Sequence, residues 1–167
     1  MAIAYLLLGS NQGDKLENLK RAISILKEAG VKVRKISSVY QSAPWGYEEQ
    51  EDFLNLAVEV ESDLAPLELL GLLKEIERKM GRKRTFRWGP RIIDIDILIY
   101  DNLSFSHPQL IIPHPLLKER LFALLPLQEI APNVLLPDGS SPFQEIEKLK
   151  REQKVVLFEK LEEGGES

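Results

Sequence analysis

Arg82-Lys83-Arg84-Thr85-Phe86-Arg87-Trp88-Gly89-Pro90-Arg91-Ile92-Ile93-Asp94-Ile95-Asp96-Ile97-Leu98-Ile99-Tyr100 is the stretch around which the rest of the chain is organised. It opens as a basic loop, turns a Trp-Gly-Pro corner and continues as a strand. Side chains alternate across a strand, so Ile93, Ile95, Ile97 and Ile99 are expected on one face, toward the core. Asp94, Asp96, Leu98 and Tyr100 then share the other face. Two carboxylates about 6 Å apart repel by roughly 1–3 kcal/mol, which calls for a positive partner. The upstream Arg/Lys cluster is one candidate and a divalent cation is another. Magnesium fits, being commonly held by one or two carboxylates together with substrate phosphates. Arginines beside it suit a polyphosphate, because the guanidinium fork matches phosphate oxygens and stays charged. Ordinary polar-out alternation on a half-solvated strand gives the same Asp-Ile-Asp pattern with no function attached, and the spacing alone leaves both readings open.

The composition narrows the choices. At 167 residues, 44% apolar and 29% charged, the chain has the size and balance of one globular domain. We expect residues 1–160 to be a single catalytic domain and 161–167 a frayed tail. The net charge of −4 argues against a broad nucleic-acid footprint. Five Lys/Arg against two Asp between residues 82 and 96 leave that stretch at +3, so it asks for a local anionic partner. With no cysteine, neither a disulfide framework nor a Cys-based zinc site or nucleophile is available. Met1 to Leu8 is too short for a membrane span and lacks the basic start of a signal peptide, which points to a buried first strand and a cytoplasmic protein.

Taken in order, Ile3 to Leu8 reads as a strand and Gly9 to Gly13 as a turn. Asp14 with Glu17 makes a capping box for a helix bearing Leu16, Leu19, Ile23 and Leu26, with Gly30 just past its end. The turn matches neither the dinucleotide fingerprint nor the P-loop, so a structural role is favoured for it. Val31 to Tyr40 reads as a second strand, and Ser42 to Glu51 as a loop carrying Trp45, either lid or plug. Asp52 to Ser62 is a third strand with Leu54, Leu56, Val58 and Val60 on its core face. Phe53 and Asn55 lie on the other face, where a ring and an amide can stack on a flat heterocycle and read its edge. Pro66 opens a second helix with Leu69, Leu70, Leu73, Ile76 and Met80 inward, and Gly81 closes it. After the basic stretch and its strand, Asp101-Asn102 reads as a hairpin turn into Leu103-Ser104-Phe105. A helix near Leu116 to Leu125, a turn at Pro137 to Gly139, a polar helix around Phe143 to Arg151 and a strand at Val155 to Phe158 follow. The order is βαββαβ, with helices on one face of an antiparallel sheet: an α+β, ferredoxin-like core with C-terminal additions.

Three stretches taken together carry a family resemblance: Gly9-Ser10-Asn11, Arg87 to Arg91 running on through Asp94-Ile95-Asp96, and Pro113-His114 with Arg120 and Phe122. The chain resembles the 6-hydroxymethyl-7,8-dihydropterin pyrophosphokinase family of folate biosynthesis, from Ala4 to about Gly139. The resemblance implies transfer of the β,γ-pyrophosphoryl group of ATP to a pterin hydroxymethyl with release of AMP. It implies a monomer using small-molecule substrates, with no nucleic-acid or membrane partner. Asp94 and Asp96 are then the ligands of two magnesium ions, and Arg82 and Arg91 are catalytic phosphate contacts. Arg84, Trp88, Ile97, His114, Lys118 and Arg120 are ATP contacts. Phe53 and Phe122 sandwich the pterin, Asn55 reads its edge, and Ser42, Ala43 and Trp45 line the rest. Gln109, Ile111 and Pro115 depart from residues some members carry and put adenosine contacts in question before chemistry. No dedicated general base stands out, although Asp96 could take part of the proton. His107 reads as a solvent-facing loop residue.

Three other readings stay open, one of them a non-catalytic small-molecule or metal-binding domain that would bind ATP without turnover. A magnesium-dependent nucleotide transferase acting on another flat alcohol would use the same aspartates and arginines. A ferredoxin-like RNA-binding module could use Phe86, Trp88 and the arginines as a platform, although the charge balance and the lack of an RNP-like strand motif weigh against it.

Overall fold

The computed structural model describes residues 1–43, 51–81 and 92–161. Strand β1 (Ala2–Ser10) leads to helix α1 (Lys15–Glu28), then β2 (Lys32–Ile36), β3 (Val39–Ser42) and β4 (Phe53–Ser62). Helix α2 (Pro66–Lys79), β5 (Asp94–Tyr100), and the short pair β6 (Phe105–His107) and β7 (Leu110–Ile112) follow. A 3-10 turn (Leu117–Glu119), α3 (Leu121–Ile130), α4 (Ile146–Glu152) and β8 (Val155–Glu159) complete the chain. The main sheet runs β5-β1-β4-β3-β8, with β2 also on β4. β1 is antiparallel to both β4 and β5, so the β1–α1–β2 and β4–α2–β5 crossovers interleave as in a ferredoxin-like split βαβ.

Local signals set the helix ends. The Asp14 carboxylate accepts from Glu17 N–H at 3.2 Å at the start of α1, and Gly30 takes the left-handed φ of 92° just past its end. The expected strand from Val31 to Tyr40 is broken at Ser37-Ser38. Ser37 still exchanges bonds with Ala57, its N–H donating at 2.9 Å and its Oγ accepting at 2.8 Å. Ser38 instead turns its N–H and hydroxyl to the Glu129 carboxylate on α3, at 3.0 and 2.9 Å. Both backbone N–H groups at the break are thus satisfied, and Ser38 O accepts from Ser37 Oγ at 2.7 Å, which lets one run serve as two strands.

Two cores lie on opposite faces of the sheet. On the first, Leu6, Leu8, Leu54, Leu56, Val58 and Val60 pack against α1 and α2. On the second, Leu7, Ala57, Leu98 and Ile99 pack under α3 and α4. Helices are therefore not confined to one face. The run Leu121-Phe122-Ala123-Leu124-Leu125-Pro126-Leu127 is apolar nearly all round, and such a helix must be covered on more than one side. The helix begins at Leu121 and reaches Ile130, later than expected, because residues 117–119 wind as the 3-10 turn.

Two further expectations are corrected. Ile95 and Ile97 join the first core, but Ile99 lies in the second. Leu6 pairs with Ile97 and Tyr5 with Ile99, so Leu98 is an extra residue in the ladder and every side chain after it changes face. The turn at Asp101, where φ is 48°, does not fold a strand back onto β5. Asp101 donates its N–H to Ile3 O (2.7 Å) and accepts Ile3 N–H on its carboxylate (2.8 Å), which ties the turn to β1. β6 then pairs with β7 as a separate ribbon, and His107 ends β6 half-buried, its ring stacked on Phe105. Of the expected tail, Leu161 packs on the first core, and residues 162–167 lie outside the described part.

Candidate active site

Gly9, the residue before the last of β1, stands between two of the predicted side chains. Its register partner on β5 is Asp94, and its partner on β4 is Asn55, which in turn pairs with Tyr40 on β3. Paired residues share a face, so Asp94, Gly9, Asn55 and Tyr40 form a row on the second face, the one covered by α3. At about 4.8 Å per strand, the backbones of Asp94 and Asn55 are about 10 Å apart.

The Gly9 position is open because it has to be. A Cβ there would lie 3.2 Å from Asn55 Oδ1 and 3.5 Å from Phe53 Cδ2. Asn55 is 2% exposed and donates Nδ2 to Ser42 Oγ at 2.9 Å. That bond points Oδ1 the other way, into the space over Gly9. Phe53 is half-buried beside it, Ser42 is buried and Ala43 is exposed. The turn that follows is locked from within: Asn18 Nδ2 donates to Ser10 Oγ (3.2 Å) and Gln12 O (2.9 Å). This agrees with the structural role expected of that turn.

At the other end of the row, Asp94 and Asp96 are both half-buried on one face of β5. Burial raises the Asp96 carboxyl to about 7, and the neighbouring Asp94 charge adds to the rise, while Arg120 opposes it and Glu77 reinforces it. A carboxylate whose ionisation is disfavoured by burial and by a second carboxylate beside it fits a magnesium ion. Among the described residues no group of three or more His, Cys, Asp or Glu comes together, so the fit is to a site completed by phosphate and water oxygens.

His114 and Arg120 are drawn to the same place. The bulge at Leu98 leaves its carbonyl to accept His114 N–H at 2.9 Å, so the irregularity in β5 seats the histidine. Burial and the Arg120 charge hold the imidazole down at about 4, so it is neutral at physiological pH. Nδ1 accepts Leu116 N–H at 3.1 Å, which leaves Nε2–H as the outward donor. The Arg120 guanidinium stacks 5.5 Å from the Phe122 ring centroid on the first turn of α3.

Other expected residues fall less simply. Ile97 is buried in the first core, so only its backbone can meet a nucleotide. Lys118 is exposed on the 3-10 turn, within electrostatic reach of Asp138. Arg82, Arg84, Trp88, Arg91 and Trp45 lie outside the described residues. Glu77 was not foreseen: it is 2% exposed, and its carboxylate accepts Ile95 N–H at 2.8 Å between the two aspartates. Its helical phase was the available signal, since it falls four residues after Leu73 on the apolar stripe of α2.

A family model for 7,8-dihydro-6-hydroxymethylpterin-pyrophosphokinase matches residues 5–132. The 2-amino-4-hydroxy-6-hydroxymethyldihydropteridine pyrophosphokinase of Bacillus subtilis is 50% identical over 133 residues, covering 79% of this chain and 80% of that one. The protein of the same name from Aquifex aeolicus is 46% identical over 145 residues, covering 87% and 90%. A crystal structure of Plasmodium falciparum HPPK-DHPS with pteroate shares the fold at a TM-score of 0.71 and 19% identity, over 92% of this chain and 45% of that longer one. The model match spans Gly9, Asn55, the Asp94/Asp96 strand and His114 together, and the chain belongs to the 7,8-dihydro-6-hydroxymethylpterin-pyrophosphokinase family.

Proposed function

We propose that this chain carries out its family's pyrophosphoryl transfer, a step of folate biosynthesis, on the second face of the sheet, along the row from Asp94 through Gly9 to Asn55. ATP is the co-substrate and 6-hydroxymethyl-7,8-dihydropterin the acceptor. That row is the observation that carries the reading. It puts an acceptor for a heterocycle edge and a pair of carboxylates about 10 Å apart on one face, a span that suits a bicyclic ring with a hydroxymethyl arm.

In this reading Asn55 Oδ1 accepts from the amino-pyrimidine edge of the pterin, with Phe53 and Phe122 against the ring and Ser42 and Ala43 beside it. Asp94 and Asp96 would hold magnesium, two ions in our reading, and the metal would supply neutralisation of the phosphate charge. His114 Nε2–H and Arg120 donate to phosphate oxygens, joined by Arg82 and Arg91, with Arg84, Trp88, Lys118 and the Ile97 backbone as further ATP contacts. The acceptor hydroxyl oxygen bonds to the β-phosphorus as the bond from that phosphorus to the α-bridging oxygen breaks. AMP leaves with that oxygen and the hydroxyl proton is released, and in our reading Asp96 takes part of it. Residues 1–160 act as one catalytic domain, working as a monomer on small molecules without nucleic acid. No helix among the described residues is long and apolar enough to cross a membrane.

The direct test is product analysis with ATP and Mg²⁺, with and without the pterin. AMP that appears only with the pterin is the expected result. ADP released without it would favour a different nucleotide transferase. A second expectation concerns acceptor binding alone. Gly9→Ala places a methyl in front of Asn55 Oδ1, and we expect it to raise the pterin KM about tenfold, one hydrogen bond's worth, with the ATP KM unchanged. Steady-state kinetics with each substrate varied in turn measures both.

A further inference from the structure

The corner that carries Arg120 and Phe122 takes two of its hydrogen bonds from a distant part of the chain. Arg120 is the N-cap of α3 with an extended backbone (φ −114°, ψ 100°) and makes no side-chain cap bond there. The first N–H of the helix, on Leu121, donates instead to Gln153 Oε1 at 3.0 Å. The same side chain donates Nε2 to Glu119 O at 2.7 Å. One amide therefore bridges the residues on either side of Arg120, a cap supplied from 32 residues further along the chain. Gln153 is itself fixed at both ends. Its N–H closes α4 on Leu149 O (2.8 Å), and two residues later Val155 enters β8 opposite Ser42. The C-terminal segment thus touches both walls of the proposed pterin site, Ser42 through the β8 ladder and the Arg120–Phe122 corner through Gln153.

We infer that Gln153 is a positioning residue for this reaction, setting Arg120 and Phe122 in place relative to the β3 edge through its paired bonds to Leu121 N–H and Glu119 O. The inference rests on the reading of Arg120 as a phosphate contact and of Phe122 as a pterin plate. The cap needs an acceptor for Leu121 and the carbonyl needs a donor; a single primary amide provides one of each, and residues 119–125 contain none. A carboxylate at 153 would keep the acceptor and lose the donor. A thioether of similar length would lose both.

The test uses Gln153→Met and Gln153→Glu in the full chain, with steady-state kinetics for ATP and pterin and a thermal melt. Gln153→Met is expected to raise both KM values about tenfold while kcat stays within about threefold. Gln153→Glu is expected to match it at pH 8 and to recover partway toward wild type as pH falls to about 4.5, close to the ordinary glutamate range, each point normalised to wild type at that pH. A protonated carboxyl restores the O–H donor to Glu119 O while its other oxygen still accepts from Leu121. The charged residues around it, Glu119 and Arg120 across the contact and Glu152 and Lys154 along its own chain, offer no equivalent donor and acceptor pair. A lower melting temperature with both KM values at wild type would make Gln153 a stability residue only and overturn the inference, as would a Gln153→Glu ratio that does not move with pH. Arg120→Ala and Phe122→Ala separate the two levels. If they raise KM and Gln153→Met does not, the positioning role fails alone. If they too leave both KM values unchanged, the reading of the site fails with it.

Discussion

Asp96→Ala is expected to lower pterin-dependent AMP release by about 10³-fold or more, with the protein still folded and still able to bind ATP. A metal that neutralises phosphate charge supplies several kcal/mol to the transition state, and each 1.36 kcal/mol is about tenfold in rate. Asp96 sits with Asp94 on one face of β5, half-buried, so alanine removes one of the two carboxylates of the proposed metal site. Asp94→Ala should act alike. The carboxyl's raised pKa gives the prediction a second, independent arm. In the metal-free protein Asp96 titrates at about 7, well above an unfolded aspartate, so the folded state binds the extra proton between about pH 4 and 7. The sign follows: the stability this group contributes is present at low pH and is lost as pH rises through 7, where two neighbouring charges have to coexist. Magnesium reverses that trend by binding the ionised pair and displacing the proton. Apparent Mg²⁺ affinity should therefore rise by up to about tenfold per pH unit below 7 and level off above it, with about one proton released per site filled at pH 6. Titration calorimetry in buffers of different ionisation enthalpy reads both. In Asp96→Ala the pH dependence should flatten along with the loss of rate. A variant at full rate with unchanged Mg²⁺ titration would remove Asp96 from the metal site. Asp96→Asn adds the question of the proton: normal metal binding with full rate would show that the Asp96 carboxylate takes no part in accepting it.

Much of the fold was legible in single residues with strong local preferences. Asp14 capped α1, Gly30 and Gly81 closed two helices with φ near 90°, and the alternation of Leu54, Leu56, Val58 and Val60 placed the first core. Those features depend on nearest neighbours along the chain, where spacing carries the information. What could not be read depended on contacts between distant segments. The bulge at Leu98 shifts the face of Ile99 by one residue and is visible only in the register with Tyr5 and Leu6. It also frees the Leu98 carbonyl that seats His114, so the irregularity and the site belong together. Ser38 leaves the β4 ladder because Glu129, 91 residues away, offers its carboxylate. Glu77 could have been found from its phase on α2, because a charged residue on an apolar stripe needs a buried partner. Its partner, the Ile95 backbone, gave no signal of its own. For the site, alternation gave the Asp94/Asp96 and Phe53/Asn55 pairs and a resemblance joined them to the other contacts, whereas the relation between the pairs came from the sheet. Nothing in the spacing of Gly9, Asn55 and Asp94 along the chain indicates that they stand side by side in adjacent strands.

That adjacency leads to the second large effect, in Asn55→Leu. We expect kcat/KM for the pterin to fall by about 10²–10³-fold, with the ATP KM within about twofold of wild type. Leucine has the same number of side-chain heavy atoms as asparagine and the same branching, so the buried position, 2% exposed, stays filled and β4 keeps its ladder. The polar consequences are two. Ser42 Oγ loses the amide donor at 2.9 Å, a cost of about 1 kcal/mol that falls on stability and on the β3 edge. The space over Gly9 loses the oxygen that faces it, so donors on the amino-pyrimidine edge would be desolvated against a methyl group. A site built to hydrogen-bond its ligand discriminates strongly, because the unpaired polar group cannot recover its water partner once enclosed. Both effects act on acceptor binding, and the nucleotide end of the row, about 10 Å away, is untouched. The comparison with Gly9→Ala sharpens the point. The alanine variant keeps the acceptor and crowds it, so its loss should be smaller and confined to KM. The leucine variant removes the acceptor, so part of its loss should appear in kcat, because a ring held only by stacking presents its hydroxymethyl in several orientations, few of them in line with the phosphate. If Asn55→Leu changed both substrates' KM values equally, or left pterin kcat/KM within about threefold of wild type, the assignment of Asn55 as the reader of the acceptor would be wrong, and the row would have to be read as a structural seam between β5, β1 and β4.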